Sequence, residues 1–137
     1  MITRVTKIFS FEAAHRLPNH SGKCKNLHGH SYKLEVTVIG EAKKQKNVSD
    51  EGMVIDFGEL SKIIKTHVVD VYDHALLTSE THSFGELKVV YFSFAPTCEI
   101  LLEHIVTVLL EIFSVSLICV KLWETETSYC TWYADDN

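Results

Sequence analysis

Residues 33–39 alternate between apolar and polar side chains, and this pattern constrains the fold more than any other part of the chain. Leu34, Val36 and Val38 fall on one face of an extended strand, because successive side chains of a strand point to opposite sides. Residues 3–11 mix β-branched and aromatic residues with polar ones and predict a second strand. The connection between them, PNHSGKCKN, is polar and rich in turn formers. A hairpin with one buried face is therefore expected.

Two segments downstream of this hairpin have helical periodicity. Asp56 followed by Glu59 fits a capping box, and the apolar residues that follow predict a helix from about Phe57 to Val71. A second helix, EILLEHIVTVLLEIF, opens after Pro96 with Thr97 as its candidate cap. Because this helix is apolar on most sides, we expect it to be deeply packed.

The C-terminal run SLICVKLWETETSYCTWYADD contains two β-rich stretches around the polar residues 124–128 and predicts a second hairpin. Residues 75–95 combine strand-like residues with a glycine and are expected to form an irregular excursion. The element order is therefore ββααββ, an α+β fold with two helices on one face of a four-stranded antiparallel sheet. At 137 residues the chain fits a single domain, 1–137.

Composition and charge exclude several functional classes. The chain is 46% hydrophobic and 23% charged, as globular proteins are. A formal net charge of -5 argues against nucleic acid as the main partner. No signal peptide pattern opens the chain and no long apolar run predicts a membrane span, so the cytoplasm is the expected location. The four cysteines form no CxxC pair, and Cys119 and Cys130 are expected to be small buried hydrophobes.

Three histidines form a candidate metal site. His28 and His30 stand two residues apart where a strand begins, so both side chains leave the same face. His15 ends the preceding strand, and pairing of the two strands brings its ring to the same place. Three imidazoles without a fourth protein ligand match an open zinc site. The alternative is that they are merely polar residues at the rim of a hairpin.

Cys24 precedes the histidine pair on the polar connection. Lys23 and Lys25 flank it, and their positive charges favour the thiolate. A thiolate beside zinc is either a fourth ligand, which closes a structural site, or an unbound base. The residue pattern leaves both readings open.

Further candidates lie at the ends of the predicted elements. Asp73 can orient the imidazole of His74, which would suit a second proton-transfer pair, or the two can be a polar break after a helix. Glu124 ends a strand, where a carboxylate can anchor a guanidine-like heterocycle or simply be solvated. Thr97 and Glu99 either contact a ligand or cap the second helix.

Taken together, these motifs resemble the 6-pyruvoyl tetrahydropterin synthase and 6-carboxytetrahydropterin synthase family. The resemblance runs from FSFEAAHRLP through CKNLHGHSY, GMVIDFGEL, YDHALL and PTCE to LWETETS. It implies a tunnelling fold, in which the antiparallel sheets of three subunits join into a barrel and two trimers stack as a hexamer with active sites between subunits. The short spacing between Cys24 and HGH and the WETETS segment look like the bacterial 6-carboxytetrahydropterin synthases of the queuosine pathway.

The resemblance implies a chemistry and a role for each candidate residue. The implied substrate is 7,8-dihydroneopterin triphosphate, converted to 6-carboxytetrahydropterin with release of acetaldehyde and triphosphate. The alternatives are a 6-pyruvoyl product, an aldolase-like cleavage, and a zinc-stabilised binding protein without activity. The implied roles are zinc ligand for His15, His28 and His30, catalytic thiol for Cys24, second proton relay for Asp73 and His74, pterin anchor for Glu124, and pocket lining for Thr97 and Glu99.

Three basic residues are further candidates, and two features depart from the family pattern. Arg16, Lys23 and Lys25 are candidates for contacting the phosphates by charge and proximity alone. Ile100 stands where the family usually has asparagine, so any polar contact of that side chain is missing here. Residues 79–95 match no family motif, and a loop beside a pocket can alter specificity.

Overall fold

A six-stranded sheet frames the protein, which a computed structural model describes over residues 1–137. β1 (Ile2–His15) pairs antiparallel with β2 (His28–Glu41) along its whole length. β5 (Leu117–Thr125) pairs antiparallel with β2 and with β6 (Ser128–Tyr133). Both predicted hairpins and the predicted α+β class are confirmed.

Two short strands extend the sheet beyond the four that were predicted. β3 (Ala75–Thr78) lies parallel to the end of β1, and β4 (Val89–Tyr91) lies parallel to β3. The strand order is β4-β3-β1-β2-β5-β6. The prediction of a purely antiparallel four-stranded sheet, with an irregular segment at 75–95, was therefore wrong in this region. The reason is physical: strands of four and three residues are too short to show an alternating pattern.

The first predicted helix is present but interrupted. α1 (Phe57–Ile64) is followed by a π-helical segment over Lys65–Val69 and by α2 (Asp70–Tyr72). The side chain of Asp56 accepts a hydrogen bond from the backbone N–H of Glu59, as the capping pattern predicted. Within this π-helical segment Val68 and Val69 are both buried.

The second predicted helix is α3 (Cys98–Phe113), and Thr97 caps it by accepting a hydrogen bond from the N–H of Ile100 at 3.2 Å. The expectation of deep packing holds for one face only. Leu110 and Ile112 remain 39% and 37% exposed, because the sheet covers the helix from one side. No helix combines the length and the apolar content needed to cross a membrane.

The core lies between the helices and one face of the sheet. It is a cluster of 24 buried hydrophobic residues. Along β2, Leu34, Val36 and Val38 are buried while the residues between them are partly exposed, which confirms the predicted alternation. The same buried face continues back to Tyr32 and ends at the histidines of β2. The fold therefore places these histidines at the edge of the core.

Candidate metal and substrate site

The three predicted histidines converge where β1 and β2 end. In the hairpin register His15 is opposite His28, and Ala13 is opposite His30. The ring centroids lie 4.6 Å apart for His15 and His28, 5.0 Å for His15 and His30, and 4.9 Å for His28 and His30. One ring nitrogen from each lies within 4.8 Å of the others. The structure thus brings the three predicted residues together in a group that could hold a metal ion.

Backbone carbonyls fix the orientation of two of the rings. Nδ1 of His15 is 2.8 Å from the carbonyl oxygen of Pro96, and Nδ1 of His28 is 2.7 Å from that of Asn26. A carbonyl oxygen can only accept, so both Nδ1 atoms carry the hydrogen. In the neutral rings both Nε2 atoms therefore have lone pairs, and they face each other at 3.1 Å. This is the arrangement of metal-binding histidines, whose second nitrogen donates to the protein.

Burial favours the neutral, metal-binding form of the imidazoles of His15 and His30. His15 is 1% exposed, and burial lowers its pKa, although the hydrogen bond with Pro96 acts in the opposite direction. Burial also lowers the pKa of His30, against the attraction of the nearby Glu124 carboxylate. Without a proton between them, two facing lone pairs at hydrogen-bond distance repel each other. A cation relieves that repulsion, so the donor set fits a bound metal.

Glu124 lies beside the histidine cluster. Its Oε1 atom is 3.8 Å from Nε2 of His30, and its side chain is 27% exposed. The pairing of β5 with β6 shifts register between Trp123 and Thr125, directly around this residue. Such irregularities turn a side chain away from its regular direction. The structure therefore places a carboxylate at the rim of the metal site, as the strand-end position suggested.

Asp73 and His74 contact each other directly after α2. Oδ2 of Asp73 is 3.0 Å from Nδ1 of His74. The other carboxylate oxygen accepts a hydrogen bond from the N–H of Glu12 at 2.9 Å, and this bond is the main reason that the pKa of Asp73 is lowered. His74 has a left-handed backbone (φ 59°) and donates its N–H to the carbonyl of Glu12 at 2.6 Å. These two hydrogen bonds to β1 fix the turn on which the imidazole of His74 is exposed.

A cavity joins the metal site to this pair. It has a volume of about 480 Å³, and its lining includes His30, His74 and Lys88. His74 itself is 78% exposed. Lys88 donates to the carbonyl oxygens of Asp70 and Asp73, which fixes its ammonium group at the rim. The cavity therefore has a candidate metal site at one side and a candidate proton-transfer group at the other.

Cys24 is not part of the histidine cluster in the single chain. It lies on a short 3-10 turn, Lys23–Lys25, and is half-buried. Its carbonyl oxygen accepts from the N–H of Leu17 at 2.9 Å, which ties the loop to the end of β1. The ligand atoms that group together come from the three histidines and do not include its sulfur. The structure thus separates the predicted thiol from the predicted metal ligands within one subunit.

Thr97 and Glu99 occupy the start of α3. Thr97 acts as the helix cap, which was one of its two predicted roles. Glu99 is exposed in the first helical turn, and its carboxylate groups with the sulfurs of Cys98 and Cys130 rather than with the histidines. The link from this segment to the metal site is the Pro96 carbonyl.

Comparisons with known proteins agree with this architecture. The family model described as 6-pyruvoyl tetrahydropterin synthase matches residues 4–135. The chain belongs to this family. The 6-carboxy-5,6,7,8-tetrahydropterin synthase of Haemophilus influenzae is 36% identical, covering 93% of this chain and 96% of its own length. The protein of the same name from Rickettsia bellii is 32% identical, covering 93% and 88%.

Solved structures show the same fold. The 6-pyruvoyl tetrahydropterin synthase of Caenorhabditis elegans superposes with a TM-score of 0.77 at 27% identity, covering 98% of this chain and 96% of that one. The corresponding protein of Plasmodium falciparum has a TM-score of 0.73 at 21% identity, covering 96% of each chain. The second likeness supports the fold alone. Family membership therefore rests on both sequence and architecture.

Sequence reasoning missed a tyrosine at the base of the histidine cluster. Tyr32 is 1% exposed, and its ring contacts those of His15 and His30 edge-on at 6.5 and 5.6 Å between centroids. Burial raises its pKa far above the usual range, and its hydroxyl has no hydrogen-bond partner within the chain. The signal was available, because in HGHSY the period of two puts Tyr32 on the same face as His28 and His30.

Arg16 and Ile100 both make contacts within the chain. Arg16, a candidate phosphate ligand, already forms a two-contact ion pair with Glu80 at 2.7 and 2.9 Å. Ile100 is partly buried and packs against the core, so an apolar residue suits its position. Neither observation assigns a phosphate-binding residue.

Proposed function

We propose that the protein is a zinc-dependent 6-carboxy-5,6,7,8-tetrahydropterin synthase of the cytoplasm. It would convert 7,8-dihydroneopterin triphosphate to 6-carboxytetrahydropterin, acetaldehyde and triphosphate, as in the queuosine pathway. The observation that supports this proposal most directly is that the Nε2 atoms of His15 and His28 face each other. Each of these rings is held through Nδ1 by a carbonyl oxygen. Relatives at 36% and 32% identity that carry this name support the choice of product.

His15, His28 and His30 would hold the zinc ion, which supplies Lewis acidity to the oxygens of the substrate side chain. Three protein ligands leave a position for the substrate, as in catalytic zinc sites. The neutral imidazoles favoured by burial are the form that ligates a metal. The buried aromatic ring of Tyr32 packs under the cluster and excludes water from that side.

The proton-transfer groups would be Cys24 and His74. The thiolate of Cys24 would take the proton from the substrate carbon. Asp73 holds Nδ1 of His74 at 3.0 Å, which leaves Nε2 of that ring to exchange a proton with a substrate in the cavity. Glu124 would accept hydrogen bonds from the amino and ring N–H groups of the pterin. Thr97 and Glu99 would line the pterin pocket.

We further propose that the active site is shared between subunits of a trimer or hexamer. Two observations support this. The sheet has open edges at β4 and β6, which can pair with other chains. The sulfur of Cys24 is not grouped with the histidines of its own chain, so a neighbouring subunit is the natural source of the thiol.

The test is to incubate the zinc-loaded protein with 7,8-dihydroneopterin triphosphate under anaerobic conditions and to identify the products by mass spectrometry. A 6-carboxypterin together with acetaldehyde supports the proposal. A 6-pyruvoyl product would assign the protein to the other activity of the family. Absence of turnover while zinc stays bound would favour the reading as a zinc-stabilised binding protein.

Matched cysteine variants separate the catalytic from the structural role of Cys24. Cys24→Ala should abolish turnover and retain zinc, whereas Cys119→Ala, which changes a half-buried thiol on β5, should retain both. Loss of zinc from the Cys24 variant would make it a ligand and contradict the role as a base. Zinc content is measured by atomic spectroscopy on the same samples.

A further inference from the structure

Two cysteines that take no part in the proposed reaction meet between α3 and β6. Cys98 is the first residue of α3 and is 9% exposed, while Cys130 on β6 is half-buried. Their sulfur atoms lie 3.1 Å apart although the residues are 32 positions apart in the chain. Both sulfurs also lie near the carbonyl oxygen of Leu122, at 3.4 and 3.9 Å. The fold therefore holds two thiols side by side.

The spacing of the sulfurs favours covalent closure over metal binding. A disulfide bond is about 2.05 Å long, so a relative shift of about 1 Å closes the gap. A zinc ion bound tetrahedrally at about 2.3 Å from each thiolate would hold the sulfurs about 3.7 Å apart. The observed 3.1 Å is shorter than that separation. The third donor of the group, Glu99, is exposed, so it does not enclose an ion.

Cys130 is the thiol that a reagent from solution can reach. It lines a cavity of about 550 Å³ between α3 and the C-terminal residues, whose lining does not include Cys98. The hydrogen bond between the sulfurs lowers the pKa of Cys130 and raises that of Cys98, where burial adds to the rise. The accessible thiol is thus the nucleophile, and the buried thiol is placed to resolve the intermediate.

We propose that Cys98 and Cys130 are a redox-active pair that closes to a disulfide by exchange with a low-molecular-weight disulfide such as oxidised glutathione. The Cys130 thiolate attacks one sulfur of the oxidant, and one thiolate leaves. Cys98 loses its proton and attacks the sulfur of Cys130, and the second thiolate leaves. One protein disulfide and two free thiols of the reagent result, so the protein is oxidised by two electrons and the reagent is reduced by two.

The test uses the full-length chain with Cys24→Ala and Cys119→Ala combined, which leaves Cys98 and Cys130 as the only thiols. The variant is equilibrated with mixtures of oxidised and reduced glutathione, acid-quenched, and analysed by intact mass and thiol titration. We expect both thiols to disappear together, a mass loss of two hydrogen atoms without added glutathione, and full reversal by dithiothreitol. Peptide mapping of the oxidised wild type should recover the cross-linked Cys98 and Cys130 peptides.

Single variants supply the controls. Cys98→Ser keeps a hydroxyl that can donate to Leu122, and it should stop at a glutathione adduct on Cys130. Cys130→Ser should react slowly or not at all, since Cys98 is buried. A stable adduct on Cys130 in the presence of Cys98, or no reaction of either thiol, would overturn the proposal. Thiols that react only after a chelator removes a metal would also overturn it. These readouts need no turnover, so they are independent of the proposed function.

Discussion

Replacement of Glu124 by glutamine is the sharpest test of how the substrate is anchored. The carboxylate is 3.8 Å from Nε2 of His30, and 27% of the side chain is exposed, so it can meet a ligand that enters from the cavity side. Glutamine keeps the size of the side chain and one acceptor oxygen. It replaces the other oxygen by an NH₂ group, which would face the donors of a pterin ring.

The expected magnitude follows from the loss of one charge-assisted hydrogen bond. Such a bond contributes about 1.5–3 kcal/mol net, which corresponds to a factor of about 10 to 150 in binding. Because the amino and ring N–H groups that Glu124 would bind are not altered when the dihydropterin becomes a tetrahydropterin, the anchor binds substrate and transition state equally. The loss should therefore appear in KM, with kcat changed by less than about threefold.

Steady-state kinetics on Glu124→Gln and on Glu126→Gln separate an effect on KM from an effect on kcat. Glu126 lies two residues further on, exposed in the hairpin turn, and it has the same charge, so it is a matched control. The control should have wild-type KM. Equal KM values for both variants, or a fall in kcat with KM unchanged, would refute the anchoring role. Loss of bound zinc from Glu124→Gln would instead make Glu124 a metal ligand.

Three further predictions concern the relay, the fold and the metal. Asp73→Asn should lower kcat by about 10²- to 10⁴-fold at unchanged metal content, because an amide no longer holds His74 as the carboxylate does; steady-state kinetics and zinc analysis check this. Burial raises the pKa of Tyr72 from 10.0 to about 12. The unfolded chain therefore loses this proton first, so between pH 10 and 12 the free energy of unfolding should fall by roughly 2 kcal/mol more in the wild type than in Tyr72→Phe, measured by urea denaturation. Removal of metal by a chelator should abolish turnover but keep a cooperative thermal transition by circular dichroism, because the 24-residue core forms without the metal.

The parts of the fold with strong local patterns were predictable. The alternation around Leu34 predicted β2, and Thr97 predicted the start of α3, because both signals lie within a few residues of the chain. β3 escaped detection because its partner is the distant end of β1, and a strand of four residues has too few positions to show a period. The π turn at Lys65–Val69 has no sequence signature that separates it from a regular helix.

The candidate site was predictable only where the ligands lie on adjacent strands. Hairpin pairing brought His15 opposite His28, as the polar connection between their strands suggested. The Pro96 carbonyl, which orients His15, lies 81 positions away, and no residue pattern encodes a contact made by the backbone. The meeting of Cys98 and Cys130 was not predicted either, because the two cysteines are 32 positions apart in the chain and Cys130 was expected to be a small buried hydrophobe.

The segment 96–98 connects the two sites that we infer. The carbonyl of Pro96 holds the imidazole of His15 at 2.8 Å, and two residues later the Cys98 sulfur contacts that of Cys130 at 3.1 Å. Thr97 between them fixes the start of α3 through its bond to the N–H of Ile100. Closure of the disulfide must draw the sulfurs together by about 1 Å, and Cys98 lies two residues from the carbonyl that orients His15, a candidate metal ligand. Metal content and redox state should therefore be measured on the same samples.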